Sequence, residues 1–190
     1  GDGMNFITPA VEGTKNVLSS AKRAGTIERI ILTSSCAAVT WADPTPKGTA
    51  YIWSEDDWQT DNTLENGAYR MSKSLAEREA WKLSQELNIE MVSICPSFIL
   101  GPVLNSRADA ASVSFMESLI DGSTESVSAA AFGIVDVRNV AQAHVNAMHV
   151  DLSLNGLRNS SGEARFVLSS EDSIPRENIA KALLQSNEFQ

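Results

Sequence analysis

The 190 residues predict an α/β protein built on a doubly wound parallel sheet. Helical and strand-like patterns alternate along the chain. The two clearest strand segments, "ERIILTSS" and "IEMVSICPSFILGP", are nearly continuous apolar runs, the pattern of strands buried on both faces. Composition agrees: 43% hydrophobic and 21% charged residues is a globular balance, in a chain long enough to bury one core.

Each element follows in order. Thr8-Pro9, followed by Ala10, Val11, Val17, Leu18 and Ala21, predicts a helix capped by Thr8, with Pro9 in its first position and Gly25 at its end. "ERIILTSS" is the first strand. The stretch from Cys36 to Gly67 is rich in proline, glycine and acids, and a loop this long inside a compact domain is usually functional. A helix from Tyr69 to Leu87 carries Leu75, Ala76, Ala80, Leu83 and Leu87 on one stripe. The second strand is interrupted by Pro96 and closed by Gly101-Pro102. "DAASVSFMESLIDG" then reads as a helix ending at Gly122, and "FGIVDVRNVAQAHVNAMHV" as a short strand leading into a helix capped by Asp136. "ARFVLSS" is a late strand, and "SIPRENIAKALLQ" a final helix starting after Ser173. Residues 1–102 form the sheet domain on this reading, and 103–190 a substrate region.

The net charge of −9 argues against a nucleic-acid or anionic-membrane partner, since either demands a basic surface. No apolar run approaches bilayer length and no signal-peptide pattern opens the chain, so a cytoplasmic protein is expected. Cys36 and Cys95 lack any CxxC spacing and are expected to be reduced thiols. His144 and His149 are five apart and do not share a helix face as metal ligands would, so no metal site is predicted. His144 falls on the apolar stripe with Val140, Ala141, Ala147 and Met148, the position of a satisfied core histidine. The acids of "SEDDW" read as a solvated face. Trp41, Trp53 and Trp58 leave two readings open, a substrate-pocket lining or a plug that seats the long loop.

In sheets of this kind ligands bind beyond the carboxyl ends of the strands. Thr33, Ser34 and Ser35 fall at one such end, and Pro96, Ser97, Phe98 and Ile99 at the next. Tyr69 and Lys73 stand four residues apart at the start of the intervening helix, and so share its face. A Tyr-x-x-x-Lys pair alone is a weak signal.

Taken together and in order, "TPAVEGTKNVL", "TSSCAAV", "AYRMSKSLAEREAW", "CPSFILGPVL", "VDVRNVAQAHVNAM" and "GEARFVLSSEDSI" resemble the extended short-chain dehydrogenase/reductase family. The closest resemblance is to its dihydroflavonol 4-reductase and cinnamoyl-CoA reductase group. The resemblance implies a Rossmann-type fold and NADP(H)-dependent reduction of a small-molecule aldehyde or ketone. It makes Tyr69 the general acid, and Lys73 the residue that favours the phenolate and binds the nicotinamide ribose. Ser35, the second serine of "TSS", becomes the group that polarises the carbonyl. Thr33, Ser34, Tyr69, Lys73, Pro96, Ser97, Phe98 and Ile99 are the implied cofactor contacts. Asn16 has two readings, as a support for a relay water or as a solvent-facing helix residue.

The chain departs from that family at its ends. It contains no G-x-x-G-x-x-G/A turn to hold a pyrophosphate, and it matches the family from roughly a third of the way in. A fragment carrying the catalytic half is therefore expected, weak in cofactor binding by itself. Such a fragment is open to self-association through an exposed sheet edge, or dependent on the missing amino-terminal half. "NGAYRMSK" also departs from the "NWYCYGK" of plant cinnamoyl-CoA reductases, which argues against a phenylpropanoid thioester. The alternatives within the family are a sugar-nucleotide epimerase/dehydratase, for which Arg107 is the only basic candidate downstream, or a hydroxysteroid dehydrogenase/isomerase. Outside enzymes, the alternative is a non-catalytic scaffold, which has no need of Ser35, Tyr69 and Lys73 together.

Overall fold

A computed structural model describes residues 3–43, 45–48, 51–61, 63–65, 67–104 and 110–185. Arg107 lies outside the described residues. The chain forms two compact units, one of Gly1–Pro96 and Ala143–Leu168, the other of Ser97–Gln142 and Ser169–Gln190. The division expected after residue 102 thus falls at 96, and residues 143–168 return to the first unit because they contribute a strand to its sheet.

In the first unit, strands β1 (Arg29–Thr33), β2 (Glu90–Pro96) and β6 (Ala164–Leu168) form a parallel sheet in the order β1-β2-β6. Thr33 pairs with Ile94 and Pro96 with Leu168, so the carboxyl ends of all three strands lie at one edge. The central strand meets the expectation of burial on both faces: Met91 to Pro96 are all buried. β1 departs from it. It is an edge strand, as β6 is, its apolar residues are half-buried, and Thr33 is exposed.

Helices α1 (Met4–Ala24) and α2 (Ala68–Leu87) belong to this unit. Leu18 of α1 and Ala80 and Trp81 of α2 join Met91, Val92, Ile94 and Ala164 of the sheet in one core, with Ala147 of helix α4 (Val137–His149). α1 begins four residues before the predicted cap, and Pro9 lies inside it. Pro9 brings no N–H to the carbonyl of Asn5, but both residues are exposed, so water can take that bond and the helix runs through. The other ends follow their residues. Gly25 closes α1 at φ 70°, and Asn88 closes α2 at φ 50°.

The long loop does not present a solvated acidic face. Asp57 is only 9% exposed and accepts from Tyr51 Oη at 2.6 Å and from the backbone N–H of Ser54 at 2.9 Å. Glu55 accepts from the Val167 N–H of β6, and Asp56 from the N–H of Ser160. Glu55 thus ties the loop to β6, Asp56 ties it to the turn at Ser160, and Asp57 folds the loop on itself, each through a backbone or hydroxyl donor that sequence alone does not reveal.

In the second unit, strands β3 (Phe98–Leu100) and β5 (Ile134–Asp136) pair in parallel, and β4 (Ala131–Phe132) pairs antiparallel with β7 (Ile174–Pro175). Helices α3 (Ala111–Ile120) and α5 (Arg176–Gln185) complete it. α5 starts two residues later than predicted, because Ile174 and Pro175 are extended in β7. Asp136 accepts from the N–H and the guanidinium of Arg138, and this bonding holds its carboxyl down at about 2.

Candidate active site

Ser35 ends the β1 segment in extended backbone, and its Oγ accepts the N–H of Ala37 at 3.1 Å, capping a short 3-10 turn at Cys36–Ala38. The preceding residues are engaged differently. Ser34 is buried and donates its hydroxyl to Glu77 Oε2 at 2.7 Å, while its backbone N–H bonds the Ile94 carbonyl. Thr33 Oγ1 lies 2.7 Å from His144 Nε2, the bond that satisfies this half-buried histidine. Alternation along a strand sends neighbouring side chains to opposite faces, and Thr33 and Ser34 follow it, one bonded to α4 and the other to α2.

Tyr69 is the second residue of α2 and is 52% exposed. Lys73 follows one turn later, with Nζ 5.9 Å from the Tyr69 ring centre. Arg70 links this end of the helix to the residues that follow the Ser35 turn. Arg70 donates to the carbonyl of Thr40 at 3.0 Å and to its Oγ1 at 2.9 Å, while within α2 Ser72 Oγ donates to the Tyr69 carbonyl. Ser35, Tyr69 and Lys73 therefore stand on packed elements at the carboxyl edge of the sheet. Among the described residues, the Lys73 ammonium makes no hydrogen bond or ion pair, so its donors are available. A free ammonium one turn from an exposed phenol fits the ribose hydroxyls of a nicotinamide dinucleotide, since hydroxyls accept from both donors.

Pro96 ends β2 in this unit, whereas Ser97, Phe98 and Ile99 belong to the second. There Ser97 Oγ is buried without a partner among the described residues. Phe98 stacks on Phe132 with ring centres 4.2 Å apart and meets Phe115 edge-on at 5.7 Å. Its backbone N–H bonds the Gly133 carbonyl, so its ring and its N–H are both engaged within that unit.

The tryptophans of the loop divide. Trp41 and Trp53 surround Lys47 together with Tyr51, with Nζ 4.5 Å from the Tyr51 ring centre. Trp58 is a plug: its ring lies between the guanidinium groups of Arg165 and Arg78, at 3.7 and 4.2 Å.

Sequence reasoning missed one feature beside the site, the buried ion pair of Glu77 and Arg165. A signal was present: Arg165 interrupts an otherwise apolar strand, and Glu77 sits among the small residues of the buried face of α2. Both cysteines are free thiols. Burial, and then the charge of Glu77, push Cys95 up to about 12, and burial also raises Cys36.

Comparison with known proteins places this geometry. Residues 5–185 match the 3-beta hydroxysteroid dehydrogenase/isomerase family. A cinnamoyl-CoA reductase of Medicago truncatula is 38% identical over 145 residues, which cover 75% of this chain and 43% of that protein. Among solved structures, yeast methylglyoxal/isovaleraldehyde reductase in complex with NADPH aligns with a TM-score of 0.75 at 24% identity, over 99% of this chain and 57% of that one. Gre2 of Candida albicans with NADPH aligns with a TM-score of 0.67 at 30% identity, over 86% and 50%. The chain spans about half the length of the proteins it matches. With the parallel sheet and the reductases it resembles, the match shows that the chain belongs to the 3-beta hydroxysteroid dehydrogenase/isomerase family, within the extended short-chain dehydrogenase/reductases, a family of oxidoreductases.

Proposed function

We propose that these residues form the catalytic half of an NADP(H)-dependent carbonyl reductase that converts an aldehyde or ketone to an alcohol. The observation that carries the reading is the exposed Tyr69 phenol with the unengaged Lys73 ammonium one turn away, on a helix linked to the residues that follow the Ser35 turn. The reductases among its relatives, and the NADPH in two of the similar structures, support both the reaction class and the choice of cofactor.

When bound, NADPH supplies a hydride to the carbonyl carbon. Tyr69 donates its phenolic proton to the carbonyl oxygen as negative charge develops there. Lys73 offsets the charge left on the phenolate and donates to the ribose hydroxyls. Ser35 Oγ donates a second hydrogen bond to the same oxygen, and its turn fixes the direction of that bond. Ser34 lacks a free hydroxyl for this role, because its proton is held by Glu77.

The test is NADPH consumption with a panel of aldehydes and ketones, measured on the longest natural polypeptide carrying these residues. Tyr69→Phe is expected to lower kcat by ~10²-fold or more. Ser35→Ala is expected to lower it by ~10²-fold or more, and by more than Ser34→Ala. Unchanged turnover in a folded Tyr69→Phe protein removes the assignment.

The matched family favours a second reading, oxidation of a secondary alcohol of the hydroxysteroid type. The same three residues serve it with Tyr69 accepting the proton. Assays in both directions, with steroid alcohols and NAD as the opposing arm, separate the two.

A further inference from the structure

Glu77 and Arg165 form an ion pair in which neither side chain is exposed, with Arg165 Nε 2.7 Å from Glu77 Oε1. A pair this deep gives up hydration that its own attraction barely offsets, and apolar residues often replace such pairs without loss of stability. Its connections are therefore more telling than its charge. Glu77 accepts from Ser34 Oγ at the end of β1 and from Ser93 Oγ on β2, each at 2.7 Å. Arg165 supplies the third strand, β6. One carboxylate on α2 thus holds every strand of the three-stranded sheet.

Arg165 extends the connection to the far side. It donates to the carbonyls of Glu55 and Asp57 in the long loop, and at 3.4 Å to that of Ala38 in the turn after Ser35. Lys73 lies one helical turn before Glu77 and Tyr69 two turns before it, about 6 and 12 Å along the axis. A slip or rotation of α2 that displaced Tyr69 would have to break the bonds to Ser34, Ser93 and Arg165 together.

We propose that Glu77 and Arg165 are positioning residues, which set where Tyr69 and Lys73 stand against the Ser35 turn and act on that turn through Ser34. The catalytic consequence rests on the carbonyl-reductase reading; the placement does not.

Two variants separate placement from stability. Ser34→Ala removes only the link between the end of β1 and α2. Glu77→Met combined with Arg165→Met replaces the pair by apolar side chains of similar length, so that no lone charge is left buried. Cys36, half-buried and next to Ser35, reports on the turn through its rate of alkylation by iodoacetamide, read by mass spectrometry so that Cys95 is scored apart. In the 190-residue chain both variants are expected to keep the parental circular dichroism and to alkylate Cys36 about tenfold faster, the scale of losing one buried hydrogen bond. In the longest natural polypeptide, kcat for the carbonyl is expected to fall by up to ~10²-fold, the effect of misplacing a catalytic group by about 1 Å, while KM stays within about threefold.

Folded variants that alkylate Cys36 at the parental rate overturn the proposal, and so do variants with parental kcat. If the double variant does not fold, Ser34→Ala decides alone. Faster alkylation of Cys36 in a protein whose parent reduces no carbonyl supports the placement and sinks the reductase reading instead.

Discussion

Lys73 is the residue on which the two halves of the proposed chemistry meet. Its ammonium stands one turn from the Tyr69 phenol, 5.9 Å from the ring centre, and makes no hydrogen bond or ion pair among the described residues. Lys73→Met keeps most of the aliphatic stem and deletes the donors. It is expected to slow turnover and also to weaken NADPH binding, by about tenfold for the loss of a charge-assisted bond to the ribose. Paired measurements of kcat and of the NADPH dissociation constant check this. A defect confined to kcat would remove the ribose contact and leave Lys73 as a partner of Tyr69 only. The sequence disclosed the pair, because two side chains four apart on a helix share a face whatever the rest of the chain does. It disclosed less about the serines. Alternation says that Ser34 and Ser35 diverge, but only Glu77, 43 residues further on, shows which hydroxyl is engaged.

At the scale of elements, legibility followed the length of the pattern. α2 and β2 carry enough apolar residues to be read directly, and α2 lies within a residue of expectation. The strand expected to run on to Gly101 instead stops at Pro96, where the missing N–H ends the ladder, and residues 98–100 form β3 in another sheet. β4 and β7 are two residues each, too short for any period to register, and so the start of α5 was placed early. The Glu77–Arg165 pair spans 88 residues, and nothing local says that two isolated charges at such a separation will meet. Glycines mark where backbone rather than pattern decides. Gly101 ends β3 at φ 143°, and a Cβ there would lie 2.7 Å from Val137 Cγ1, a β-branched atom with little room to give. Gly13 lies mid-helix in α1, with open space where its Cβ would point. Gly101→Ala is expected to destabilise the protein by about 1–3 kcal/mol, from the disfavoured backbone conformation and the clash. Gly13→Ala is expected to stabilise it by about 0.5–1 kcal/mol, the helix-interior preference for alanine. Denaturant titration of the two variants against the parent gives the comparison. Equal midpoints for both would contradict the account of α1 and β3 together.

At the scale of the whole molecule, the residues proposed to face a nicotinamide are present, and no glycine-rich phosphate turn occurs anywhere in the 190 residues. A dinucleotide of this kind is ordinarily held by its pyrophosphate, through backbone N–H groups at such a turn and at a helix N-terminus. The proposed Lys73 contact would answer one ribose, and a chain of net charge −9 repels the phosphates that remain. β1 is meanwhile an edge strand of its sheet, and Phe6 and Val17 of α1 are 56% and 63% exposed. An open strand edge is a template for pairing with another chain, and exposed apolar side chains favour association as well. We therefore expect the 190 residues alone to bind NADPH too weakly for turnover, and to self-associate as concentration rises. Calorimetric titration with NADPH, alongside sedimentation velocity over a range of protein concentrations, tests both halves. If a monomer bound NADPH with micromolar affinity, the pyrophosphate would have to be held by groups other than a glycine turn, and the search for them would begin at the donors around Arg70 and Lys73. If the chain stayed monomeric but bound weakly, the β1 edge would be protected in solution, and only the argument from phosphate repulsion would stand.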